Sequence, residues 1–283
     1  MRRRAVLAVL ALLAAGRAGA EQYPDTRQIV SIGGPITEIV YALGQQNRLV
    51  ARDTTSTYPE AATDLPDVGY MRQLSPEGVL SVGPDLILAR ETSGPPETMQ
   101  VLGEAGIPVV LVPDRFDAEG VSEAVRMVGD ALGEADAAEA MAQRIEAQFA
   151  ALRQGVEARP DALRVLFVLS VDGGRLNVAG SGTGADGLLS LAGGTNVMGS
   201  AFGGYKLITD EALIEAAPDA ILMMDSTGDH SLADEAVLTI PAVTATPAGQ
   251  AGRVVRVPDW ALGFGPRTPE AARDLHDALF GTP

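Results

Sequence analysis

Two short stretches hold the residue types best able to do chemistry. Gly69-Tyr70-Met71-Arg72 and Gly204-Tyr205-Lys206 each set a phenol after a glycine and within two residues of a cation. A free phenol has a pKa near ~10, so about a thousandth is ionised at neutral pH. A nearby cation favours the phenolate, and the same cation can pair with a ligand carboxylate. Spacing alone also fits a packed loop tyrosine with a solvated cation. The two histidines, His230 and His276, lie 46 residues apart, which excludes a zinc site of the HExxH type. His230 falls in the polar loop Asp225–Asp234; His276 falls inside the closing helical pattern, where packing or surface roles suffice. The chain has no cysteine, which excludes disulfides, thiol nucleophiles, Fe–S clusters and a lipid-modified N-terminal cysteine.

Enzyme signatures are weak. Gly180-Ser181-Gly182-Thr183-Gly184-Ala185 contains a G-x-G-x-x-A match to a dinucleotide fingerprint after a strand. The acid needed about 20 residues on is missing, since Gly199–Gly204 contains none. No Gly-x-Ser-x-Gly elbow with a plausible histidine partner occurs. A bare divalent metal would usually need several histidines and carboxylates together.

The elements that must position these residues begin with an address. Residues 1–20 hold Arg2, Arg3, Arg4 and Arg17 with no acid, an apolar stretch Ala5–Ala15, then Ala18-Gly19-Ala20. This is the pattern of a secretory signal peptide, with cleavage expected after Ala20. The apolar stretch is too short to span a bilayer, and no later one suffices. The chain of 283 residues carries 21 basic and 37 acidic side chains, a formal charge of −16. So acidic a surface repels nucleic acid and anionic headgroups, so neither is an expected partner, nor is membrane insertion. With 46% hydrophobic residues, the chain can bury one large core or two ordinary ones.

Beyond residue 20 an α/β pattern runs twice. Strands are expected at Ile29–Gly33, Leu49–Ala51, Asp85–Ala89 and Val109–Val112, with helices at Thr37–Leu43, Ser75–Ser81 and Glu97–Ala105. Asp53 to Gln73 reads as a long loop. Ala118 to about Ala158 turns helical, with Gly133 splitting a shorter helix from a longer one that can bridge two lobes. The pattern then restarts: strands at Arg164–Leu169, Arg175–Ala179, Ala220–Met224 and Val254–Val257, with a hairpin turn at Gly173-Gly174. Helices are expected at Ala185–Leu191, Thr209–Ala216 and Pro269–Phe280. Glu77-Gly78-Val79-Leu80 with Pro84-Asp85-Leu86-Ile87-Leu88 matches Glu211-Ala212-Leu213-Ile214 with Pro218-Asp219-Ala220-Ile221-Leu222 at a constant offset of 134. The two tyrosines lie 135 apart. The fold class is therefore α/β: two similar lobes, each with a mostly parallel central sheet, and a ligand cleft between them. The expected divisions are a signal peptide 1–20, an N-terminal lobe 21–116, a helical link 117–160 and a C-terminal lobe 161–283.

A secreted, acidic, two-lobed α/β chain with a long joining helix resembles the substrate-binding proteins of ABC importers for metal chelates, cobalamin, siderophores and haem. Ile29-Val30-Ser31-Ile32-Gly33-Gly34 with Thr37-Glu38-Ile39, Asp53-Thr54-Thr55-Ser56-Thr57-Tyr58-Pro59 and Gly69–Gly78 resemble the haem-binding branch. So do Leu166–Ser170, Ala179-Gly180 with Thr183–Asp186, and Gly263-Phe264-Gly265-Pro266-Arg267-Thr268. The resemblance covers nearly the whole chain after residue 20, and Gly69–Gly78 is its most specific part.

The resemblance implies that Tyr70 is the axial ligand of haem iron. A phenolate is a hard anionic donor suited to ferric iron, and iron binding displaces its proton. Arg72 would support that charge or pair with a haem propionate. Tyr205 and Lys206 would line the opposite wall. His230, from its loop position, is the candidate for a second axial ligand or else an exposed loop histidine, and five-coordinate tyrosinate iron is the default expectation. Glu77 and Glu211 would dock into arginine pockets on the two halves of a dimeric permease; helix N-terminal charge stabilisation, worth about 0.3–1 kcal/mol, is compatible with that role. One departure stands out: some relatives carry a histidine after the Leu-Ser here at Leu169-Ser170, and this chain continues Val171-Asp172. That puts histidine co-ligation at this point in doubt. The resemblance implies a monomeric periplasmic protein carrying haem, with a ferric siderophore or cobalamin as the alternative cargo.

Overall fold

The computed structural model describes residues 22–158, 163–225 and 233–281. Residues 1–20 and His230 lie outside these. The first lobe runs β1 (Ile29–Ile32), α1 (Gly34–Ala42), β2 (Leu49–Arg52), α2 (Pro76–Leu80), β3 (Leu86–Arg90), α3 (Pro96–Glu104) and β4 (Val109–Val112). Its sheet is parallel throughout, in the order β2-β1-β3-β4. The inner strands β1 and β3 are buried along almost their whole length and mostly apolar, with Ser31 and the terminal Arg90 as exceptions, because helices and loops cover both faces. α4 (Ala118–Leu132) and α5 (Ala135–Glu157) follow. Asp117 caps α4, its carboxylate accepting from Gly120 N at 2.6 Å, and Gly133 ends it at φ 78°.

The second lobe runs β5 (Arg164–Asp172), β6 (Arg175–Ala179), α6 (Gly184–Leu191), β7 (Thr195–Asn196), β8 (Tyr205–Leu207), α7 (Asp210–Ala216) and β9 (Ala220–Asp225). After it come α8 (Asp234–Leu238), α9 (Pro241–Thr244), α10 (Pro247–Ala251), β10 (Val254–Pro258) and α11 (Thr268–Phe280). Its sheet order is β10-β9-β5-β6-β8, with β7 beside β5. β10, β9, β5 and β7 are parallel, whereas β6 and β8 are antiparallel additions. This second sheet is thus more mixed than the first.

The internal repeat is realised atom by atom. Ser75 Oγ accepts from Gly78 N at 3.0 Å to open α2, and Thr209 Oγ1 accepts from Ala212 N at 3.3 Å to open α7. Asp85 accepts from Arg27 N and Gln28 N at the start of β1, and Asp219 accepts from Arg164 N at the start of β5. α5 begins near the first lobe, where Glu134 accepts from Gln45 Nε2 at 2.8 Å. Near its end Val156 packs at Gly193 of the second lobe. Its 23 residues give a strut of about 34 Å at 1.5 Å per residue. One apolar cluster runs from β1 and α1 through α4 and α5 to β5, α6 and α11. Two smaller clusters cover the other sheet faces.

Candidate functional site

Loops at the carboxyl ends of parallel strands in both sheets meet, with Arg90 at the end of β3 donating to Gly263 O after β10 at 3.1 Å, as expected of ligand sites in open α/β folds. The Tyr70 loop is pinned from both sides. Asp67 accepts from Gly69 N at 2.8 Å and from Thr54 Oγ1 at 3.1 Å, and it pairs with Arg52 at 3.0 Å. Buried Met71 and Leu74 anchor the other side, through Gly94 N to Met71 O and Leu74 N to Gly94 O. Between the anchors Tyr70 stays 39% exposed, and among the described residues its hydroxyl has no hydrogen-bond partner.

Tyr205 opens β8 in the second lobe and is 38% exposed. Its ring meets Phe167 edge to face, with centroids 6.3 Å apart. Burial pushes the phenol above its ordinary value, while hydrogen bonding to Thr183 and the charge of Arg72 pull it down. The structure therefore brings Arg72 of one lobe to Tyr205 of the other. Lys206 follows on the strand and so points to the opposite sheet face, with Nζ 5.3 Å from the Phe202 ring centre. Tyr205 and Lys206 thus lie on one edge strand but on different sides of it.

Sequence reasoning missed a second cross-lobe cluster. Arg267, just before α11, forms a two-point ion pair with Glu38 of α1: Nη2 to Oε1 at 2.5 Å and Nε to Oε2 at 3.1 Å. Its guanidinium lies 3.7 Å from the Tyr58 ring centre and 3.9 Å from that of Trp260. Burial raises the Glu38 carboxyl despite the opposing hydrogen bond and charge of Arg267. Glu38 and Arg267 are 229 residues apart, so no local pattern announces the pair; both merely fall within motifs that carry the family resemblance.

Glu77 and Glu211 are exposed in the first turns of α2 and α7. Hydrogen bonds from its own backbone N–H and from Thr209 hold the Glu211 carboxyl below its ordinary range. His276 is buried, with Nδ1 2.9 Å from Ala192 O and its ring 5.0 Å from Phe280, a packing role. The glycine-rich stretch before α6 answers to packing. A Cβ at Gly180 would lie 2.1 Å from Phe202 O, and one at Gly184 2.4 Å from Leu262 O. Among the described residues no three His, Asp or Glu side chains converge to hold a bare metal ion.

Solved structures share this architecture. The periplasmic heme-binding protein BhuT, in complex with two hemes, is 42% identical with a TM-score of 0.84, over 89% of this chain and 97% of that one. The periplasmic heme-binding protein RhuT from Roseiflexus sp. RS-1 is 36% identical, also with a TM-score of 0.84, over 90% and 98%. Among curated proteins, the vitamin B12-binding protein of Pectobacterium atrosepticum is 24% identical over 91% of this chain and 90% of its own length. These are binding proteins, not enzymes. Residues 29–261 match the family model described as periplasmic binding protein, and the chain belongs to that family.

Proposed function

We propose that this chain is a periplasmic haem carrier, released from its signal peptide after Ala20, that hands haem to an inner-membrane ABC importer. It changes no bond in its cargo. The observation that carries the reading is Tyr70: a half-exposed phenol on a rigidly anchored loop, without a hydrogen-bond partner among the described residues, two residues from Arg72, whose charge acts on Tyr205 of the second lobe. Such a phenol is free to lose its proton to a ferric ion. Tyr205 is the weaker candidate because its hydroxyl is already hydrogen-bonded with Thr183. In this reading Tyr70 is the axial ligand, Tyr205 closes over the opposite face and Arg72 takes a propionate, while Lys206, on the other side of the edge strand over Phe202, reaches a propionate only by leaving that ring. His230 remains the candidate second ligand from the Asp225–Asp234 loop. Glu77 and Glu211 meet the two halves of the permease dimer, and the carrier works as a monomer. The identity to heme-binding structures supports haem over other chelates.

An optical titration of the mature protein with hemin tests this. A ferric high-spin tyrosinate spectrum is expected, and it should vanish in Tyr70→Phe. An unchanged spectrum in that variant would move the ligand elsewhere. The B12-binding relatives favour cobalamin as a second reading. Against it, the chain's single tryptophan is already stacked on Arg267 and offers little free aromatic wall. A cyanocobalamin titration that saturates where hemin does not would reverse the choice.

A further inference from the structure

We propose that Arg267 is a positioning residue of the cleft: by joining Glu38, Tyr58 and Trp260 in one cross-lobe cluster, it sets the separation of the walls that carry Tyr70 and Tyr205. A consequence, which rests on the haem reading, is that it governs how long the cargo stays bound.

Glu38 belongs to α1 and Tyr58 to the loop after β2, both in the first lobe. Trp260 and Arg267 belong to the segment between β10 and α11 in the second. Two rings centred 3.7 and 3.9 Å from one guanidinium carbon cannot share a face of it without colliding, so the planar group lies between them. Its edge is then free for the two-point bond to Glu38. Flat faces and a forked edge are properties of arginine that lysine lacks. The cluster therefore has one geometry, and sliding or opening the lobes breaks its stacking and its ion pair together.

The first-lobe side of the cluster is built in advance. Buried Asp53 accepts from Gly33 N at 2.8 Å, Thr55 N at 3.0 Å, Thr55 Oγ1 at 2.7 Å and Ser56 Oγ at 2.7 Å. That network ties the loop carrying Tyr58 to the turn that opens α1, which carries Glu38. On the second-lobe side, Gly263 O accepts from Arg90 Nη1 at 3.1 Å, and Gly263 and Gly265 lie against Pro35. Stability alone does not account for the arrangement. The side chains of Arg267 and Glu38 are only 18% and 9% exposed, and a pair so buried returns little net free energy after desolvation. What it supplies is a single relative placement of the two lobes.

The absence of cysteine makes the test clean. Val101→Cys on α3 and Ile214→Cys on α7 place spin labels at sites 44% and 48% exposed, one in each lobe. Pulsed electron resonance on the ligand-free protein should give one narrow distance. Arg267→Lys, Arg267→Ala and Glu38→Gln should each broaden it, whereas a purely structural role would lower Tm and leave the distance unchanged. In hemin-loaded protein, Arg267→Lys should speed haem loss to excess apomyoglobin by about tenfold, or about 1.4 kcal/mol. An unchanged distance distribution in both Arg267→Lys and Glu38→Gln would overturn the proposal, and these conservative variants decide it even where Arg267→Ala does not fold. If the parent binds no hemin yet the distances broaden, the positioning role stands and the haem reading falls.

Discussion

Tyr70 and Tyr205 are one residue type in equivalent loops, yet their surroundings divide the work between them. Tyr70 stands on an anchored loop with its hydroxyl uncommitted, whereas Tyr205 meets Phe167 edge to face and its hydroxyl is hydrogen-bonded with Thr183. Tyr205→Phe should therefore keep the tyrosinate spectrum and weaken hemin binding by no more than about tenfold, the scale of one hydrogen bond of about 1.4 kcal/mol; optical titration reads both. Glu38 offers a pH test. Burial raises its carboxyl above the ordinary 4.5, so the folded protein holds that proton more tightly than the unfolded chain does, even though the ionised form pairs with Arg267. The stability so contributed is complete below 4.5 and is lost as pH rises through the folded value. The Tm of the parent relative to Glu38→Gln should thus fall as pH is raised above 4.5, measured by thermal scans across a pH series.

The elements show where sequence pattern suffices. The strands of the first sheet, the long helix after Gly133 and the repeat around α2 and α7 were legible because apolar runs, caps and Pro-Asp corners leave local marks. β8 was not, since Tyr205-Lys206-Leu207 is three exposed residues with no buried alternation. α8, α9 and α10 span only four or five residues each, too few for a helical apolar period. The short 3-10 turn Glu60–Asp64 inside the expected Asp53–Gln73 loop escaped for the same reason. The candidate tyrosines and their cations were visible as motifs, but the reach of the Arg72 charge to Tyr205 and the ion pair of Arg267 with Glu38 exist only after the lobes meet. Gly180→Ala belongs to this scale: its Cβ would collide with the backbone at Phe202, costing about 1–3 kcal/mol by denaturant unfolding. α2 and α7 give a second test. Glu77→Ala with Glu211→Ala should leave hemin affinity intact and abolish stimulation of the reconstituted importer's ATPase.

At the scale of the molecule, two ties oppose large hinge motion: the α4–α5 pair and the seam between α1 and residues 259–267. Small-angle scattering should accordingly give the same radius of gyration with and without hemin, and a marked compaction on binding would contradict a rigid carrier. No helix among the described residues is long and apolar enough to cross a membrane, and the chain is strongly acidic, with a charge of −16.

The apolar cluster that passes through α4 and α5 has an evolutionary corollary. Although the halves look like copies of one ancestral unit, neither can now be lent to another protein as a stand-alone cassette. Cutting the gene at the helical bridge would strip each fragment of a greasy flank that its sibling normally shields. Such fragments should precipitate when made singly and recover solubility only when produced side by side.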